Sequence, residues 1–224
     1  MRLLLLIMVN ILLLVSASTV FSQSRDITDA ELNKLISDAA AKRTEVPLRE
    51  KTSTTGYAPG ESSEALYEFG PNDTFHYRLV EKRNGVETKA EVIRIGTVRY
   101  TMQKDGSWLK DSPQQSTGGG SGFGSGYGTG SSVKPEVTEE IRFVGSDEIH
   151  GQTISHYRKI HIVKFIGRTP PITRKVVDEY WFNADGLLVK ESHEDVLDNF
   201  PQRYTSVTEY EYDKDIKITA PIPD

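Results

Sequence analysis

"ALYEFGPNDTFHYRLVEKRNGVETKAEVIRIGTVRYTMQKDGSWLK" occupies residues 65–110, and its period decides the fold. Phe75, Tyr77 and Leu79 fall on one side of an extended chain, because successive strand side chains point to opposite faces. Asn84-Gly85 interrupts the alternation where a tight hairpin turn needs positive φ at both central residues. Asp105-Gly106 repeats the device, and Asp185-Gly186 is a further turn. The same alternation returns in "EVTEEIRFVG" (136–145), "TISHYRKIHIVKF" (153–165), "RKVVDEYWFNADGLLVKESHEDV" (174–196) and "YTSVTEYEYDKDIKI" (204–218). Long strands in sequence, joined by short turns, predict an antiparallel meander.

These strands are two-faced. Val137, Ile141 and Phe143 oppose Thr138, Glu140 and Arg142, and Tyr204, Tyr210 and Tyr212 share parity. One wet and one apolar face is the pattern of a curved sheet wrapped around something. Upstream, "ITDAELNKLISDAAAKR" (27–43) predicts one helix: Thr28 and Glu31 form a capping box, Ile27 staples onto Leu32, and Leu32, Leu35, Ile36 and Ala39 share a face. The expected fold is therefore mainly β, a curved antiparallel sheet (an incomplete barrel) around an N-terminal helix. "SHEDVLDNF" gives a short second turn or helix at 194–200 as an expectation.

At either side of this domain the composition changes. Leu3–Val9 and Ile11–Val15 form an apolar run after Met1-Arg2, and Val20 and Ser22 stand where a signal peptidase wants small residues. The run is shorter than the ~20 residues of a membrane span. Residues 1–22 are expected to be a cleaved signal peptide, and 23–224 a single exported domain, soluble after cleavage, in the periplasm or medium. "STGGGSGFGSGYGTGSSV" (116–133) misses the glycine spacing of a dinucleotide fingerprint, and Lys134 is followed by Pro135 rather than by the Ser or Thr of a phosphate loop. Residues 112–135 are expected to be a flexible Gly/Ser-rich loop between two strands.

The chain carries 27 Lys and Arg against 32 Asp and Glu, a formal charge of −5, and no cysteine. That balance argues against a nucleic-acid partner, and the missing thiol excludes disulfides, thiolate catalysis and an acylated N-terminal cysteine. His76, His150, His156, His161 and His193 show no metal-ligand spacing, and no serine sits in a nucleophile elbow. Asp178, Glu179, Glu191, Glu194 and Asp195 interleave with Lys175 and Lys190, as on a solvated face with cross-strand ion pairs. The expectation is a protein that is not an enzyme and has no cofactor or metal.

Three stretches together resemble a known family. "IRIGTVRYTMQKDGSW" (93–108) has a glycine bend at Gly96, then Tyr100, then Gly106 and Trp108. "VGSDEIHGQTISHYRKIHI" (144–162) pairs Gly145 and Gly151 with His156-Tyr157. "EYWFNADGLLVKESHED" (179–195) and "YTSVTEYEYDKDIKITAPIPD" (204–224) supply an aromatic strand, an Asp-Gly turn and a last strand closing on Ile-Lys-Ile. In this the chain resembles the bacterial outer-membrane lipoprotein-sorting proteins, a group that includes periplasmic lipoprotein carriers and mycobacterial lipoprotein lipid carriers. The resemblance implies an incomplete barrel whose concave side holds acyl chains, and so a partner that is a lipid or a lipid-modified protein.

Read with strand parity, the candidate lipid-facing residues are Leu66, Phe75, Tyr77, Ile141, Phe143, Tyr180 and Phe182. Two arrangements remain open for them. They either line a pocket or pack on the helix and fill it. In the second case the alternative function is an envelope interaction module with no lipid.

Overall fold

The computed structural model describes residues 24–44, 46–56, 58–111, 135–149, 151–166, 171–198 and 203–222. The expected signal segment, and the Gly/Ser-rich stretch from 112 to 134, lie outside these. The described chain forms one open twelve-stranded antiparallel sheet, in the order β1-β8-β9-β10-β11-β12-β2-β3-β4-β5-β6-β7. The strands are β1 (Arg25–Asp26), β2 (Leu48–Thr55), β3 (Ser62–Gly70), β4 (Thr74–Arg83), β5 (Val86–Ile95), β6 (Val98–Met102), β7 (Trp108–Asp111), β8 (Glu136–Ile149), β9 (Gln152–Phe165), β10 (Ile172–Phe182), β11 (Leu188–Leu197) and β12 (Arg203–Tyr212). Two meanders, β2 to β7 and β8 to β12, are joined where β12 pairs with β2. A hydroxyl ladder marks that join: Thr52 with Thr208 at 3.0 Å, and Thr54 with Ser206 at 3.5 Å.

One helix, α1 (Asp29–Arg43), lies over the sheet. Its capping box is complete, with the Thr28 side chain accepting from the Glu31 amide and the Glu31 carboxylate accepting from the Thr28 amide. Near its start, Ile27 and Leu32 pack on Ile141 of β8, and Lys159 of β9 donates to Asp29 at 2.7 Å. Near its end, Ala39 packs among Leu48, Phe182, Leu188 and Tyr210, while Arg43 stands 3.7 Å from Glu50 of β2. The helix thus runs across the strands. Fifteen residues at ~1.5 Å each span roughly 22 Å, close to the five strand spacings of ~4.8 Å that separate β8 from β2.

The turns follow their residues. Asn84 and Gly85 both take positive φ (51° and 77°), as the two-residue β4–β5 hairpin requires. The Asp105-Gly106 turn differs from the expected repeat. There only Gly106 is left-handed, and the Gln103 amide bonds to the Ser107 carbonyl across a longer loop. Asp185-Gly186 is built the same way, with the Asn183 side chain accepting from the Asp185 and Leu187 amides.

One sequence expectation is corrected. The second helix at 194–200 is absent among the described residues, because β11 continues through Leu197, with Glu194, Asp195 and Val196 opposite Val177, Val176 and Lys175. Asp195 is buried and accepts from Arg174 of the neighbouring strand, so pairing on both flanks overrides the local helical tendency. β7 and β8, which flank the Gly/Ser-rich stretch in sequence, are not neighbours in the sheet. β7 is one edge of the sheet, and β8 is bordered at the other edge only by the two-residue β1.

Candidate functional site

Register decides which side chains share the face that α1 covers. Leu48 lies opposite Phe69, and Phe69 opposite Phe75. Tyr210 lies opposite Glu50, Glu50 opposite Tyr67, and Tyr67 opposite Tyr77. Since Leu48 and Tyr210 pack on α1, all of these point to the concave side.

The seven candidate residues then divide into three groups. Ile141, Phe143, Tyr180 and Phe182 pack with α1. Phe143 also meets Tyr157 at 5.2 Å between ring centroids, and Tyr157 meets Phe182 edge-on at 5.7 Å. Under the helix the face is filled. Phe75 and Tyr77 lie on the same face beyond it. Leu66 lies opposite Lys51 and Arg78 and belongs to the other face, since it is one residue out of parity with Tyr67.

Beyond the helix, Phe75 and Tyr77 join two residues that the sequence reading passed over, Tyr67 and Phe69. Tyr67 and Tyr77 are 4.8 Å apart, Phe69 and Phe75 5.3 Å, and Tyr67 and Phe75 6.4 Å. Phe69 is 40% exposed. None of the four belongs to the clusters packed on α1. Four rings in mutual contact on a concave face, open to solvent, form an aromatic shelf. It is a part of the concave face where clustered aromatic surface is available to a ligand.

Further along β10, β11 and β12 the concave face turns polar. Asp178, Tyr180, Glu191, His193, Ser206 and Thr208 line a pocket of about 220 Å³. His193 Nδ1 and Asp178 Oδ1 are 2.7 Å apart, and the Tyr210 hydroxyl donates to Glu191 at 2.8 Å. Burial, with the carboxylates of Asp178 and Glu191 adding to it, pushes the Tyr180 phenol up to about 12. Burial and Glu191 raise Tyr210 further, beyond the usual phenol range. Both tyrosines therefore stay neutral, and Tyr210 serves as a donor.

Asp178, His193 and Ser206 occupy one row across β10, β11 and β12. They do not make a hydrolytic triad. Among the described residues Ser206 is hydrogen-bonded to Thr54, not to His193, and the backbone amides around it belong to the sheet ladders. No cluster of metal-ligating side chains occurs among the described residues. His156 lies on the other face, stacked on Trp181 at 4.4 Å.

The expected ion pairs are also redistributed. Glu179 pairs with Arg158, Asp195 with Arg174 and Glu194 with Arg203, in place of Lys175 and Lys190. Lys190 instead covers Trp181, 4.9 Å from the ring centroid. Among the described residues no helix is long and apolar enough to cross a membrane.

No protein-family model matches the chain, and no curated protein matches it. Among solved structures it is similar to LprF from Mycobacterium bovis, at 13% identity and a TM-score of 0.49, over 89% of this chain and 100% of that one. It is also similar to a LolA superfamily protein from Nitrosomonas europaea, at 12% identity and a TM-score of 0.21, over 74% of this chain and 83% of that one.

Proposed function

We propose that this is an exported, non-enzymatic protein that holds the acyl chain of a lipid or lipid-modified protein on the concave face of its sheet. The supporting observation is the aromatic shelf of Tyr67, Phe69, Phe75 and Tyr77, outside the clusters that pack on the helix. An acyl chain laid on such a surface gains ~0.8 kcal/mol for each methylene removed from water, with no polar contact needed. The family resemblance of the sequence points the same way, as do the signal-like first 22 residues, which would bring the chain to the envelope where such lipids are handled.

The filled core under α1 favours a second reading. With Ile141, Phe143, Tyr180 and Phe182 occupied by the helix, the shelf is also a surface on which another envelope protein can rest its own apolar side chains.

Titration with the neutral probe N-phenyl-1-naphthylamine separates the two. The parent should enhance its fluorescence after delipidation. Phe75→Ala with Tyr77→Ala should abolish the enhancement, and Leu66→Ala, on the opposite face, should leave it unchanged. A delipidated parent that gives no enhancement would rule out the carrier function and leave the interaction module.

A further inference from the structure

The shelf and the polar pocket lie on one face, and their charges are unequal. Glu50 is opposite Tyr67 of the shelf in the strand register and opposite Tyr210 on its other side. The Tyr210 hydroxyl donates to Glu191, and Glu191 lines the pocket with Asp178. From Thr208 at the pocket wall to β3, which carries Tyr67, is two strand spacings, roughly 10 Å.

The cations nearest the pocket are paired, while Arg94, bound to Asp73, and Arg99 lie on the same face at the far side of the shelf, beyond Phe75. Arg174 is bound to Asp195, and Lys159 to Asp29 and Glu139. Arg43 lies 3.7 Å from Glu50, over the Tyr210 ring. Asp178 and Glu191 are left facing an imidazole and a phenol hydroxyl. The pocket wall adds the ring of Tyr180, whose π-face attracts cations.

From this juxtaposition we infer that the pocket selects the head group of whatever lies on the shelf, accepting cationic amphiphiles (amines or quaternary ammoniums) and turning away anionic ones. The inference rests on the carrier function proposed above. A head group in the pocket sits within a few ångströms of Asp178 and Glu191, where a like charge is repelled and an opposite one held. Thr208 and Ser206 supply hydroxyls that accept from an ammonium N–H but impose no sign of their own.

Displacement of N-phenyl-1-naphthylamine by three twelve-carbon amphiphiles, each kept below its critical micelle concentration, tests this. The three are dodecyltrimethylammonium, dodecyl sulfate and dodecyl maltoside. The cation should displace the probe at about one-tenth the concentration the anion needs, or less. In Glu191→Gln with Asp178→Asn the two charged compounds should converge, while the maltoside is unaffected. Glu209→Gln, a carboxylate change on the opposite face, should keep the discrimination. Equal displacement by cation and anion in the parent would overturn head-group selection and leave the shelf intact. Displacement by none of the three would overturn both.

Discussion

Leu32→Ala gives the sharpest test of how α1 sits on the sheet. Leu32 is 0% exposed and packs with Ile27 and Ile141, with Ile36, Phe143, Tyr157 and Tyr180 around that cluster. Truncation removes three carbons from a site walled by rings and branched side chains, which collapse poorly into a void. Leu→Ala changes in such sites cost about 2.7–5 kcal/mol. For a domain of this size each kcal/mol lowers the melting temperature by ~2–4 °C, so the variant should melt roughly 5–20 °C below the parent. Urea melts followed by tryptophan fluorescence and by circular dichroism supply the free energy, with an unchanged slope as the check that both proteins unfold from the same compact state. Leu35→Ala, at a half-buried position on the same helix, should cost clearly less. A loss below about 1 kcal/mol for Leu32→Ala would mean that the helix does not fill the face beneath it, and the division of the concave side into filled and open parts would fail.

Phe143→Glu places a carboxylate under α1 against Tyr157 and should unfold the protein or lower its melting point by more than 10 °C or so; Arg142→Glu, on the outer face, should shift it by only a degree or two. Gly85→Ala meets nothing within 4 Å at its new Cβ, so its cost is that of the left-handed backbone alone, about 1–2 kcal/mol in a urea melt. Burial raises the Glu50 carboxyl above its ordinary 4.5, with Arg43 opposing and Glu191 adding. The folded state then holds that proton more tightly than the unfolded state, and stability is lost as pH rises from the ordinary value through the folded one. Glu50→Gln should accordingly melt above the parent at neutral pH, and the advantage should disappear below the ordinary glutamate range. An advantage that persists at low pH would point to a cause other than ionisation.

The meander was legible because its strands alternate strongly and its turns carry Asn-Gly and Asp-Gly, and α1 because its capping box and staple are local. β2 lies before the alternation that begins at residue 65. Of its concave positions Leu48, Glu50, Thr52 and Thr54, only the first is apolar, so nothing in the alternation marks it as a strand. Its place beside β12 is set by partners some 150 residues away in the chain. The shelf was half legible. Ala65, Tyr67 and Phe69 alternate with Leu66, Glu68 and Gly70, so parity within "ALYEFG" already favours Tyr67 and Phe69 over Leu66. Leu66 is out of step with Tyr67 and Phe69, and the register places it on the other side. Which apolar residues the helix would cover was not legible, because that depends on the direction in which α1 crosses the strands. The pocket carboxylates looked like any solvated sheet face until register separated Asp178 and Glu191 from Glu179 and Glu194.

The join between β12 and β2 has a kinetic consequence. Within each meander a strand finds its partner through a connection of a few residues, but Thr52 and Thr208 must meet across 156 positions. Closing a loop of that length costs roughly 4–5 kcal/mol of chain entropy by the logarithmic law, against about 1 kcal/mol for a hairpin. The rate at which the chain folds should then be governed by the meeting of the two meanders, not by the formation of either. Thr208→Val, which removes one rung of the hydroxyl ladder, should slow refolding in stopped-flow experiments, whereas Gly85→Ala, at a hairpin tip far from the join, should act through one meander alone. If Thr208→Val changes only the unfolding rate, the join forms after the barrier has been crossed.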